Sequence, residues 1–222
     1  MKAELPDAIG VGIYSAREVA RLVGTKPQTI RRWFGVYGDT TPLWEPEHPR
    51  SNDELVLGFL DLIEVRLVYE FRSHDVSLQA IRTCIERAKQ LTKETHPFAT
   101  KRIKTDGRSL FLEFGKGTDD KHLIDLLKSQ WAFQKVIEQS LRDVDFDMED
   151  TARRWYPLGK PSVIVDPKRN FGAATLARSG VPTTAIAGTF EVERSTRIVA
   201  DLFNVTEEDV HDALEFEARY PD

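Results

Sequence analysis

Residues 15–33, "SAREVARLVGTKPQTIRRW", carry more structural punctuation than any other stretch of the chain. Ser15 and Glu18 stand at capping-box spacing, so the serine hydroxyl can accept from the Glu18 amide while Glu18 reaches back. Ala16, Val19, Ala20 and Val23 then fall on one helical face. Gly24 supplies the residue most tolerant of a left-handed helix end. Pro27 sits where a first helical turn has no use for its missing N–H, and Ile30, Trp33 and Phe34 form the inner face of that second helix. The spacing predicts two short helices joined by a tight turn.

The outer face at the start of the second helix offers Lys26, Gln28, Thr29, Arg31 and Arg32. A recognition helix enters the major groove by its N-terminal end and needs polar or cationic side chains there. Arginine pairs bidentately with guanine and glutamine with adenine, while lysine and threonine hold phosphates. A packed hairpin with a solvated basic face is the plainer alternative. The whole chain is acidic, with net charge −5, but the charge is unevenly placed. Residues 15–34 carry five cations against Glu18, net +4; residues 191–222 carry ten acids against three arginines, net −7. Attraction to nucleic acid depends on the local face, so the acidic total does not exclude it.

The 222 residues allow one large or two to three small domains. With 41% hydrophobic residues a buried core is expected. A lone cysteine, Cys84, can form neither an intrachain disulfide nor a thiolate metal cluster, which fits a reducing cytoplasm. The N-terminus lacks a signal-peptide core. The most apolar segment, residues 54–71, is broken by Asp61, Glu64 and Arg66, so it reads as a buried helix and not a membrane span. Ser51 and Glu54 form a second capping box that is expected to open this helix. After a turn, "SHDVSLQAI" is expected to start another helix near Ser77.

This order of elements resembles the MerR family of winged helix-turn-helix regulators over roughly residues 13–90. The carrying residues are "SAREVARLVGTKPQTIRRW", a Pro-rich wing, and "FLDLIEVRLVYEFRSHDVSLQAIRTCIE". The resemblance implies DNA contacts from the second helix and from a wing arginine, for which Arg50 is the nearest candidate. No long dimerising coiled coil follows residue 90, and the cysteines of metal-sensing members are missing.

In the middle, Asp106-Gly107 between "KRIK" and "SLFLEF" reads as the turn of a β-hairpin. Residues 115–118, "GKGT", lack an upstream glycine at phosphate-loop spacing and read as a turn. "WAFQKVIEQSLRDV" is an amphipathic helix. "DVDFDMED" opens like a calcium loop but has Met148 at the position needing glycine and Arg154 where a glutamate is required, so a strand edge and acidic loop are expected. "ARRWYPLG" and "PSVIVDP" look like further strands. His48, His74, His96, His122 and His211 are scattered, with no metal partner at helical spacing and no nucleophile elbow; surface or capping roles are expected. The residues point to neither an enzyme, a cofactor nor a metal site.

Near the C-terminus, Ile198, Val199, Leu202 and Phe203 make an apolar face, Thr206 caps the next helix, and Val210, Ala213 and Leu214 line its inner side. The exposed start of that helix, Glu207, Glu208 and Asp209, would repel phosphate, so this second helix pair suits a protein partner. Residues 161–220 resemble the antitoxin domain of VapB-type toxin–antitoxin modules. The carrying residues are "VDPKRNFGAATLARSGVPTTAIA" and "VADLFNVTEEDVHDALEFE"; Ala173 stands where that family usually has proline. The resemblance implies a cognate toxin, most plausibly a PIN-domain ribonuclease, and autorepression of a two-gene operon.

Taken together, an α+β chain is expected: a MerR-like winged helix-turn-helix over 1–98, a small mixed α/β module over 99–160, and a helix-turn-helix-like helical domain over 161–222. The leading expectation is a cytoplasmic, homodimeric antitoxin. It would bind operator DNA through Lys26, Gln28, Thr29, Arg31, Arg32 and Arg50, and a toxin or second copy through Phe203, Glu207, Glu208, Val210, Leu214 and Phe216. A MerR-like regulator answering a small ligand, and an interaction module whose first helix pair only packs, are the alternatives.

Overall fold

The structure, a computed structural model, describes residues 10–36, 41–48 and 54–221. It is α+β: ten helices longer than a turn and six short strands among the described residues. The chain divides into two compact units. An amino-terminal unit takes residues 15–142 and 146–152; a carboxy-terminal unit takes residues 153–222 with 143–145 and the segment up to Tyr14.

In the amino-terminal unit, α1 (Ala16–Val23) starts at the expected capping box: Ser15 Oγ accepts from the Glu18 amide at 3.2 Å and Glu18 accepts from the Ser15 amide at 2.7 Å. Gly24 ends the helix in the left-handed region at φ 82°, where a Cβ would be strained, and its N–H reaches back to Ala20 O at 2.9 Å. Helix α2 (Pro27–Trp33) follows with proline in its first turn. Val19, Ala20, Ile30, Trp33 and Phe34 are buried as their periodicity requires. Phe34 meets Trp44 edge-on with ring centroids 4.8 Å apart, which fixes residues 41–48 against the end of α2.

The apolar segment begins differently from the capping-box expectation. Leu55 is buried, Val56–Leu57 form a two-residue strand, and α3 runs Phe59–Ser73. Its N-terminus is closed by Asp61, whose carboxylate accepts from the Gly58 amide at 2.8 Å. Ser51 lies outside the described residues. Helix α4 (Leu78–Thr92) starts where its sequence predicts and is capped by Ser77.

Residues 101–114 are not a hairpin. They form one helix, α5 (Lys101–Phe114), running straight through Asp106-Gly107. Ile103, Gly107, Phe111 and Phe114 are its buried side, spaced by four, four and three residues, and this helical period overrides the local turn signal. At Gly107 the next helix packs close: a Cβ there would lie 3.4 Å from Ile137 Cγ1 and 3.5 Å from Phe133 Cε1, in van der Waals contact. Those residues belong to α7 (Gln130–Ser140), which α6 (Lys121–Lys128) precedes. Phe71 of α3, Phe98, Phe111 and Phe133 form an aromatic core, each ring within about 5–6 Å of Phe111. Cys84 is buried beside this assembly, and burial pushes its thiol up to about 12.

The carboxy-terminal unit is built on two short strands, Val163–Ile164 and Thr175–Leu176, antiparallel with Val163 opposite Leu176, and on helices α8 (Thr183–Glu193), α9 (Thr196–Phe203) and α10 (Glu207–Arg219). The loop "DPKRNFGAAT" turns sharply between the strands. Asp166 accepts from the Arg154 guanidinium at 2.7 and 2.9 Å and from the Lys168 amide at 2.9 Å. Asn170 and Phe171 both take positive φ, and Gly172 follows at φ 89°. There Tyr14 donates its hydroxyl to Gly172 O at 2.9 Å, leaving no room for a side chain: a Cβ would lie 2.1 Å from the tyrosine oxygen. Thr206 caps α10 through a complete capping box with Asp209, matching its sequence reading. No helix among the described residues is long and apolar enough to cross a membrane.

Candidate nucleic-acid interface

The helix pair α1–α2 presents Lys26, Gln28 and Arg32 to solvent, with Thr29 and Arg31 half-buried. Helical spacing puts Gln28, Arg31 and Arg32 opposite Ile30, Trp33 and Phe34, which turn into the core. Arg17 on α1 is exposed as well. The turn between the helices is held by two amides, Gly24 and Thr25, both bonded to Ala20 O, and by the Tyr69 hydroxyl of α3 at 3.4 Å from Gly24 O. A cationic helix start is thus carried on a rigid support. Arg50, the wing candidate, lies outside the described residues.

Behind this face lies a polar cluster that the sequence reading did not find. Asp61 and Glu64, one turn apart on α3, are completely buried. Asp61 accepts from Trp44 Nε1 at 2.7 Å and from the Glu47 and Gly58 amides at 2.9 and 2.8 Å. Glu64 accepts from the Phe98 amide at 2.8 Å and meets His96 Nδ1 at 3.1 Å. The His96 Nδ1 also lies 3.9 Å from Asp61 Oδ1. Glu47 accepts from the Leu60 amide at 2.9 Å.

Burial, then the charge of Asp61, pushes the Glu47 carboxyl up to about 7. Burial draws the His96 imidazole down, but the Glu64 hydrogen bond and the charges of Glu64, Asp61 and Glu47 outweigh it, so His96 titrates above its ordinary value.

The expectation of surface or capping roles therefore fails for His48 and His96, which are buried; His74, His122 and His211 are exposed. The sequence carried only part of the signal. Two acids three apart inside an apolar run occupy one helical face, and a buried pair of that kind needs partners.

In the carboxy-terminal unit, Glu207 and Glu208 are exposed and Phe203 and Leu214 half-buried, whereas Val210 and Phe216 lie in the unit's own core. Glu207 also accepts from Thr196 Oγ1 at 2.6 Å, joining α9 to α10. Among the described residues of 153–222, the exposed large apolar side chains are Phe171, Val192, Ile198 and Leu202.

No family model matches the chain. It is similar to a Mycobacterium tuberculosis protein named "Putative antitoxin VapB45", 26% identical over 235 aligned positions that span 96% of each chain. Its fold is that of Rv2018 from M. tuberculosis, solved by X-ray crystallography. The two superpose with a TM-score of 0.74 at 22% identity, covering 93% of this chain and 99% of the other.

Proposed function

We propose that this protein is an antitoxin with two separate binding faces: one for its operator DNA and one for a toxin. The full-length similarity to a protein named as an antitoxin is the observation that carries this reading. It joins the resemblance of residues 161–220 to VapB-type antitoxins.

Residues 1–98 act as the DNA-binding part, with Lys26, Gln28, Thr29, Arg31 and Arg32 on the duplex and Arg50 contributing from the wing. The exposure of Lys26, Gln28 and Arg32 supports this assignment. Residues 161–222 meet the toxin, taken as a PIN-type ribonuclease, or a second copy of the chain. There Glu207, Glu208, Phe203 and Leu214 face outward, while Val210 and Phe216 support them from beneath. The acidic net charge of this end suits the basic cleft of an RNA-cutting enzyme. A homodimer would place two cationic heads on an inverted repeat and autorepress the operon.

The test is fluorescence anisotropy on the DNA upstream of the gene. Arg31→Ala with Arg32→Ala should weaken binding by about 1–3 kcal/mol for each arginine that pairs bidentately with a base, with the far-UV spectrum unchanged. Unaltered affinity in the double variant would move recognition to another surface. Co-expression with the neighbouring reading frame should yield a stable complex; its failure to co-purify would remove the toxin arm alone.

A further inference from the structure

We propose that Glu47, Asp61 and His96 form a binding site for a divalent transition-metal cation, beside the buried Glu64 carboxylate. One donor atom from each of the three residues lies within 4.8 Å of the others. Ligands at about 2.0–2.2 Å from a tetrahedral zinc-like ion stand about 3.4 Å apart, so side-chain movements of about 1 Å close the site. The donor set is one imidazole nitrogen and two carboxylates, which leaves a coordination position open for water and suits zinc, manganese or iron(II) over the soft ions that seek thiolate.

Charge points the same way. The cluster gathers three carboxylates around one imidazole, and among the described residues no lysine or arginine pairs with Glu47, Asp61 or Glu64. Buried anions of this density need a counter-ion or protons. A dication cancels two of the three charges and leaves His96 neutral, the form in which imidazole ligates. His96 Nδ1 faces both Glu64 at 3.1 Å and Asp61 at 3.9 Å, so a cation on this nitrogen would replace the proton it shares with Glu64.

The backbone also makes space for one of the ligands. Gly58 has an ordinary φ of −89°, so no conformational demand selects glycine there. A Cβ at this position, however, would sit 2.0 Å from Glu47 Oε2 and 2.5 Å from Glu47 Cδ. The glycine admits the Glu47 carboxylate to the cluster. Asp61 and Glu47 are in turn held by indole and amide donors, so their remaining lone pairs stay aimed while the ion is absent.

The ion would tie residues 41–48 to α3 and to the segment preceding Phe98. Because Trp44 both bonds Asp61 and packs on Phe34 at the end of α2, it would stiffen the support of the cationic face.

The experiment uses full-length protein stripped with chelator, dialysed against micromolar zinc chloride, and assayed by elemental analysis and thermal melting. One zinc per chain and a raised melting midpoint are expected in the wild type. His96→Gln and Glu47→Gln should each cut affinity at least tenfold, while His122→Gln, an exposed histidine outside the cluster, should leave it unchanged. Absence of stoichiometric uptake by the wild type, or full uptake by folded His96→Gln, overturns the proposal and leaves a proton-closed hydrogen-bond network. Should both cluster variants unfold, cobalt(II) added to wild-type protein decides: visible bands of nitrogen–oxygen coordination sustain the site and their absence refutes it. No step depends on DNA or toxin, so the outcome is separate from that of the antitoxin reading.

Discussion

Replacing Gly107 by alanine tests the largest departure of this structure from its local sequence signals. In the interior of a helix, glycine is less favourable than alanine by about 0.8–1.0 kcal/mol, because it loses more backbone freedom on folding. Gly107 lies in the middle of α5 and is not among the positive-φ glycines, so alanine adopts its conformation without strain. The new methyl would meet Ile137 Cγ1 at 3.4 Å and Phe133 Cε1 at 3.5 Å, ordinary van der Waals contact at its near edge. A small repulsive cost offsets part of the propensity gain, leaving a net stabilisation of about 0.5–1 kcal/mol. For a unit of this size that is a rise of about 1–4 °C in melting midpoint. Urea unfolding followed by far-UV circular dichroism measures it as a higher midpoint at unchanged slope. In an Asp-Gly hairpin turn the same methyl would occupy a left-handed position and cost about 1–2 kcal/mol. The sign of the effect therefore separates the two structures. A destabilised Gly107→Ala would refute a continuous helix over residues 101–114. Gly107→Leu, by contrast, should destabilise by about 1–3 kcal/mol, since α7 leaves no volume for three further carbons.

Gly172→Ala should destabilise the carboxy-terminal unit by roughly 2–4 kcal/mol, combining left-handed strain with the overlap against Tyr14; a loss below about 0.5 kcal/mol in chemical denaturation would contradict so tight a turn. Metal-stripped protein should melt progressively lower from pH 5 to pH 8. Glu47 and His96 both hold their protons more tightly when folded, so their contributions are complete below the ordinary values of 4.5 and 6.5 and are lost as pH rises through about 7 for Glu47 and through the raised His96 value. Calorimetry that shows His96→Gln with the same pH slope as wild type would remove His96 from that account. Val210→Ala should cost about 1–3 kcal/mol of stability because its side chain is fully buried, whereas Leu202→Glu should leave the melting curve in place and weaken the complex with the toxin, measured by calorimetric titration.

Where local chemistry and long-range packing agree, the sequence was legible. Ser15, Ser77 and Thr206 each cap the helix that follows them, Gly24 turns the first helix pair, and Pro27 opens its second helix, because caps and turns act over three or four residues. The exposed side of α2 could be read for the same reason: the buried partners Ile30 and Trp33 lie on that same helix.

The cluster behind it was not legible. Glu47, Asp61, Glu64 and His96 come from three separate segments, and in sequence Asp61 and Glu64 served only to break an apolar run. Nor could the Asp-Gly pair at 106–107 be judged without α7, since its turn propensity is worth about 1 kcal/mol and the aromatic and aliphatic side chains packed between the two helices outweigh it.

The amino-acid order alone thus determined the helix ends, the cationic patch on the first helix pair and the acidic balance of the last, all properties of near neighbours along the chain. Tertiary structure alone decided that residues 101–114 coil into a helix, that Val210 and Phe216 turn inward, and that His96 meets two buried acids from a helix some thirty residues earlier. Those outcomes rest on which distant surfaces exclude water together, and that is settled only when the chain closes on itself.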